Sequence, residues 1–242
     1  LTLADQRASD KIISELESTG ITVLSEEGEH FSFETRKQLD YLWIVDPLDG
    51  TKEFVKRNGE FTVNIALVYH GKPLLGVIYS PVFKDLYFAL SKVGSFKIDR
   101  HDFIAASYDF HDLSIEQMIR MAKRLPGRSY PEVYTVVASR SHLSKETYAY
   151  IEKLKQEHGE VNIVNTGSSI KMCWVAEGLA DEYPRFGPTM EWDTAAGQAI
   201  LENAGCELVV FESQKPMLYN RENLSNESFV ARRKIKNTDH SS

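Results

Sequence analysis

Apolar positions along this chain fall into two regimes, short alternating runs in the first half and strand-like runs alternating with helix-like stretches in the second. Ala8, Ile12, Ile13 and Leu16 recur at helical spacing and predict a helix over residues 5–18, followed by a strand near 22–25. The run Tyr41-Leu42-Trp43-Ile44-Val45 is short, apolar and rich in aromatic and β-branched residues, which predicts a strand, and Pro47 and Gly50 then predict an immediate turn. Residues 61–69 and 72–79 flank His70-Gly71 as a hairpin, and 85–90 with 94–98 make a second pair. The stretch 101–130 is polar and mixed, with one amphipathic helix near 114–124. It places a boundary between an N-terminal α+β half, residues 1–110, and a C-terminal α/β half, residues 111–242. Beyond it, strands at 133–138, 161–164, 181–185 and 207–211 alternate with helices near 145–158, 170–177 and 194–204, the last stopped by Gly205. Alternation of this kind implies a mixed sheet covered by helices, so the chain reads as a mixed α+β (α/β) fold. The polar tail 237–242 is expected to be disordered.

Composition narrows the function classes. With 242 residues and 42% hydrophobic content the chain can bury a substantial core. A net charge of −7, and no basic block before Arg232-Arg233-Lys234, argue against a nucleic-acid polymer as partner. Cys173 and Cys206 lack metal spacing and read as buried free thiols of a reducing cytoplasm. No signal peptide and no apolar span of about 18 residues is apparent, so a cytoplasmic location without an integral membrane segment is expected. Nothing in the pattern specifies an oligomeric state.

The chemistry is concentrated in Asp46-Pro47-Leu48-Asp49-Gly50-Thr51, two carboxylates three residues apart at the end of a buried strand. Hard divalent cations such as Mg²⁺ want oxygen ligands, and a carboxylate pair with a backbone carbonyl supplies them. Gly50 and Thr51 add a close-approaching N–H and a hydroxyl suited to a phosphate or an activated water. Read alone, the hexapeptide is more simply an Asx-type loop without an ion. Two further acidic segments change that reading: Ser25-Glu26-Glu27-Gly28 in a polar loop, and Glu191-Trp192-Asp193-Thr194-Ala195-Ala196-Gly197 where a helix begins. An N-cap role alone would explain Asp193, and equally Asp5 ahead of a helix beginning near Gln6.

Taken together these segments resemble the inositol monophosphatase superfamily of metal-dependent, lithium-sensitive phosphatases, whose two motifs, D-P-[LI]-D-G-T and W-D-x-A-A-G, stand here intact. Asp49-Gly50-Thr51-Lys52-Glu53-Phe54, with the stretch from Lys56 to Ala66, is similar to the CysQ-type branch of 3'(2'),5'-bisphosphate nucleotidases; inositol monophosphatases usually carry Asn where this chain has Glu53. Thr2-Leu3-Ala4-Asp5, Ser139-Arg140-Ser141-His142, Gly167-Ser168-Ser169-Ile170-Lys171 and Tyr183-Pro184-Arg185-Phe186-Gly187-Pro188 agree, and the resemblance covers nearly the whole chain. It implies a five-layer αβαβα sandwich with metals between its halves. Relatives carry a helix and a turn ahead of Thr2 that lie over the substrate, which would bear on the activity of a chain without them.

The resemblance also implies a site. Glu26, Asp46 and the carbonyl of Leu48 would hold one Mg²⁺ and Asp46, Asp49 and Asp193 a second, in a site taking two or three ions. Asp5, Glu26, Asp49 and Thr51 form the catalytic set: Thr51 and an acidic partner, Glu26 or Asp5 or both, orient the attacking water. Glu27 either supports a ligand from behind or faces solvent. Gly50, Thr51 and Asp193 would touch the substrate, and Ser168, Lys171 and Arg185 would bind the nucleotide, whose second phosphate and adenine need cationic groups. A base or ribose contact by Arg140, Ser141 or His142 competes with simple capping by Ser141 or Ser144. The implied activity is removal of the 3'-phosphate of adenosine 3',5'-bisphosphate, and of 3'-phosphoadenosine 5'-phosphosulfate, in sulfur assimilation. An inositol or sugar phosphatase of the same fold and a catalytically silent nucleotide sensor are the alternatives, and loose peripheral association with membranes, known among relatives, stays open.

Overall fold

The computed structural model describes residues 2–28, 30–102, 113–139 and 144–234. The expected contacts of Arg140, Ser141 and His142 and the polar tail 237–242 lie outside them. The first half builds a seven-stranded sheet in sequence order: β1 (Val23–Ser25), β2 (Tyr41–Asp49), β3 (Thr62–Tyr69), β4 (Lys72–Ser80), β5 (Asp85–Leu90), β6 (Gly94–Ile98) and β7 (Lys123–Arg124). Only β1 and β2 run parallel; the remainder is a meander. The β3–β4 hairpin turns on His70 and Gly71, both at positive φ, as a two-residue turn matched to strand twist requires. The second sheet has the order β11-β12-β10-β8-β9, from β8 (Tyr134–Ser139), β9 (Val161–Thr166), β10 (Glu182–Arg185), β11 (Cys206–Val210) and β12 (Phe229–Arg233).

Helices α1 (Leu3–Glu17), α2 (Phe33–Arg36), α3 (Thr51–Val55), α4 (Ile115–Met121), α5 (Lys145–His158), α6 (Ile170–Glu177) and α7 (Glu191–Asn203) complete the described elements. Helices α6 and α7 pack on each other between the two sheets, α1 and α4 cover the outer face of the first sheet, and α5 that of the second. This is the expected αβαβα sandwich. Its middle layer is tight because α7 is built of small residues: Ala195, Ala196 and Ala199 are buried, and a Cβ on Gly76 of β4 would come within 2.8 Å of Ala199 Cβ. The first sheet extends to Lys123–Arg124, beyond residue 110. Cys173 and Cys206 are buried free thiols, as expected. Among the described residues no helix is long and apolar enough to cross a membrane.

Three local expectations are corrected. Helix α1 begins at Leu3 with Thr2 as its N-cap. Thr2 Oγ1 accepts from Ala4 N at 3.2 Å, and the Asp5 carboxylate accepts from the Thr2 N–H in return, so Asp5 closes a capping box and is not the N-cap. Helix α7 likewise starts at Glu191, so Asp193 lies in its first turn and accepts from Met190 N at 2.8 Å. Strand β2 does not end at Val45 but continues through Asp49, since proline is tolerated where a bulge frees the backbone from the ladder.

Candidate metal centre and anion-binding cavity

The bulge in β2 builds the acidic wall. Side chains three residues apart on a regular strand point to opposite faces. Here Asp46 pairs with Asn64 while Asp49 pairs with Thr62, so three steps on β2 match two on β3 and both carboxylates come to one face. Asp46 is 1% exposed; its Oδ1 accepts from Leu48 N at 2.9 Å, and its Oδ2 has no hydrogen-bond partner among the described residues. Asp193 arrives from the first turn of α7, and one carboxylate oxygen from each of Asp46, Asp49 and Asp193 lies within 4.8 Å of the others. Gly50 (φ 93°) then swings the chain into α3, where the Thr51 hydroxyl stands 3.5 Å from the Leu48 carbonyl.

Asp46 and Asp193 are held in the protonated direction. Burial, and then the charges of Asp49, Asp193 and Glu26, push Asp46 well above the ordinary range. Burial and then Asp49 raise Asp193 to about 7. Glu26 follows β1, its N–H donating to Val45 O at 3.1 Å, and it stands on the exposed rim beside Asp46, outside the 4.8 Å cluster. Its carboxyl is raised by desolvation first and then by Glu27, with Asp49 and Asp5 adding to the repulsion. Such crowding of acids without a cation is the electrostatic mark of a metal seat.

Asp49 and Asp193 also border a cavity of about 240 Å³, lined further by Gly50, Thr51, Ser168, Lys171 and Arg185, among others. Lys171, in the first turn of α6, is only 5% exposed; its Nζ donates to Ser168 O and lies 5.3 Å from the centroid of the Tyr183 ring. Burial lowers its pKa to about 8, against the opposing pull of Asp49. Arg185 reaches in from the end of β10, donating from Nη2 to Pro188 O at 3.0 Å, while its Nε and the Ser168 hydroxyl are buried without partners among the described residues. Ser139, the last described residue before 140–143, lines the same cavity.

The structure thus brings Asp46, Leu48, Asp49, Gly50, Thr51, Asp193, Ser168, Lys171 and Arg185 to one place, with Glu26 on its rim and Asp5 buried within electrostatic reach of Glu26. Sequence reasoning missed Thr62, Asn64 and Ser169. The Ser169 hydroxyl lies 2.7 Å from Asp49 Oδ2, and Asn64 Nδ2 and Thr62 Oγ1 are each 3.5 Å from that oxygen. For Thr62 and Asn64 the signal was present, since both place polar side chains at inward positions of the alternating run 61–69. Glu53 lines the cavity and is 6% exposed.

Comparison with known proteins agrees with this geometry. The profile of the inositol monophosphatase family matches residues 1–239. The chain is 41% identical over 232 residues to the 3'(2'),5'-bisphosphate nucleotidase CysQ of Shigella flexneri, covering 95% of this chain and 83% of that protein. Among solved structures it is similar to CysQ from Bacteroides thetaiotaomicron, described as a bacterial member of the inositol monophosphatase family, with a TM-score of 0.91 and 49% identity over 97% of this chain and 85% of that one. An IMPase/NADP phosphatase solved with Mg²⁺ and phosphate shares the fold at a TM-score of 0.70 and 19% identity, covering 97% of this chain and 77% of that one. This chain belongs to the inositol monophosphatase family.

Proposed function

We propose that this protein is a Mg²⁺-dependent phosphatase that removes the 3'-phosphate of adenosine 3',5'-bisphosphate to give AMP and phosphate, and acts likewise on 3'-phosphoadenosine 5'-phosphosulfate. The observation that carries the reading is one cavity lined both by carboxylates of the cluster, Asp49 and Asp193, and by two cations, the buried Lys171 and the half-buried Arg185. A substrate bridging them needs two anionic groups, one for a metal and one for the cations, which a bisphosphate nucleotide has. The relatives named as bisphosphate nucleotidases support the same choice.

The donor set fits a hard cation. It offers only oxygens, and the partnerless Asp46 Oδ2 and the raised carboxyls are what a missing positive charge leaves behind. Asp46, Asp49 and Asp193 would hold one ion, and Glu26, Asp46 and the Leu48 carbonyl another, in a site of two or three. Bound there, Mg²⁺ would supply the polarisation of the phosphate oxygens and a water acidic enough to give hydroxide near neutral pH. The Thr51 hydroxyl, anchored toward Leu48 O, orients that water, with Glu26 or Asp5 accepting its proton. The P–O3' bond breaks as the water oxygen joins phosphorus, the departing 3'-oxygen takes a proton from solvent, and Glu26 or Asp5 returns to solvent the proton it accepted. Lys171 and Arg185 hold the second phosphate, Ser168 and Gly50 border it, and His142 contributes to base or ribose binding. The test is phosphate release with Mg²⁺ from adenosine 3',5'-bisphosphate, inositol 1-phosphate and fructose 1,6-bisphosphate side by side. Preference for the bisphosphate nucleotide is expected; preference for inositol 1-phosphate would overturn the substrate, and no release from any would overturn the reaction.

A further inference from the structure

The turn leading into α6 carries two serines with opposite surroundings. Ser168 adopts φ 48° and lines the cavity, its hydroxyl without a partner among the described residues. Ser169 is 2% exposed and faces the carboxylates: its Oγ accepts from Asn64 Nδ2 at 2.9 Å and lies 2.7 Å from Asp49 Oδ2 and 2.9 Å from the backbone oxygen of Asp193. A hydroxyl has one proton to give. The nearer and charged acceptor, Asp49 Oδ2, takes it, because hydrogen bonds to an ionised group are the stronger. Asn64 supplies the opposing donor from β3, and its own Oδ1 has no partner among the described residues. The carboxylate of Asp49 is therefore fixed by the second half of the chain as well as the first.

We propose that Ser169 is a positioning residue for the metal centre, committing Asp49 Oδ2 to a protein donor so that the other oxygen, Oδ1, is presented to the cation. The inference rests on reading Asp49 and Asp193 as metal ligands. It assigns a division of labour within one turn: Ser168 and Lys171 meet the nucleotide, and Ser169, between them, sets the affinity for metal. Groups that orient ligands from behind are worth about 10- to 100-fold in metal affinity.

The experiment is Mg²⁺ titration of the full chain without nucleotide, read by calorimetry and by the rise in melting temperature, alongside kcat and KM. Ser169→Ala is expected to raise the Mg²⁺ concentration at half-saturation about 10-fold or more. Ser169→Thr, which keeps the hydroxyl, restores it, and Ser168→Ala raises KM for the nucleotide while leaving the Mg²⁺ titration in place. Should Ser169→Ala not fold, Asn64→Leu carries the test, since it removes the donor that holds Ser169 Oγ and shifts the titration the same way. A Mg²⁺ titration unchanged in the folded variant overturns the inference alone. Absence of any Mg²⁺ binding by the unaltered protein overturns the metal reading and the inference with it.

Discussion

The acidic and cationic walls of the cavity are made in different ways. The acids Asp46 and Asp49 stand on one strand, brought to one face by a local bulge, and Asp193 joins their cluster from the far helix α7. The cationic wall is assembled from the start of α6 and the end of β10, with Ser168 at positive φ and an almost fully buried lysine. On the proposed reading, two of the three clustered metal ligands come from one contiguous hexapeptide whose spacing is set by the strand, whereas recognition would rest on tertiary packing that desolvates Lys171. A substitution in the first should remove chemistry, and one in the second should remove discrimination.

The largest expected effect is on the acidic wall. Asp46→Asn, at the buried centre of the cluster, should lower kcat by about 10³-fold or more in steady-state phosphate release, because the charge that holds the metal disappears. On the opposite wall, Lys171→Met should raise KM for adenosine 3',5'-bisphosphate by about 10- to 100-fold with a smaller change in kcat. Its hydrolysis of p-nitrophenyl phosphate, which has no second phosphate, should change far less. Equal losses on both substrates would erase the contrast between the walls.

A smaller effect separates the walls by pH. In the metal-free protein Asp193, raised from 3.8 to about 7, keeps a proton that the unfolded chain gives up. The stability this contributes is full below its unfolded value and is lost as pH rises through about 7. Asp193→Asn should therefore melt a few degrees above the metal-free parent at about pH 7.5 and no higher at about pH 4. Saturating Mg²⁺ should reverse the order at about pH 7.5 by stabilising the parent alone. The smallest effect lies away from both walls: Ser144 Oγ caps α5, accepting from Thr147 N at 3.2 Å, and Ser144→Ala should cost about 1 kcal/mol in denaturant unfolding without altering kinetics.

Much of this was legible in the chain. The β3–β4 hairpin was fixed by His70-Gly71, and α6 ends at Gly178 in the left-handed region. Helix starts were less so: Thr2 and Met190 cap one or more residues before the apolar periodicity begins, so Asp5 and Asp193 were displaced from their true positions in the first turns. The bulge was read as a turn because proline and glycine mark both, and only pairing with β3 distinguishes them. Ser169 was invisible as a support for Asp49, 120 residues away, because that contact exists only once the second half of the chain lies against the first.

The central claim is that one metal seat is shared by β2 and α7. Calorimetric titration of Mg²⁺ into the parent, Asp49→Asn and Asp193→Asn tests it most directly. The account predicts saturable binding in the parent and its loss to a similar degree in both variants, although the two residues lie in different halves of the chain. Unaltered Mg²⁺ affinity in folded Asp193→Asn would contradict it.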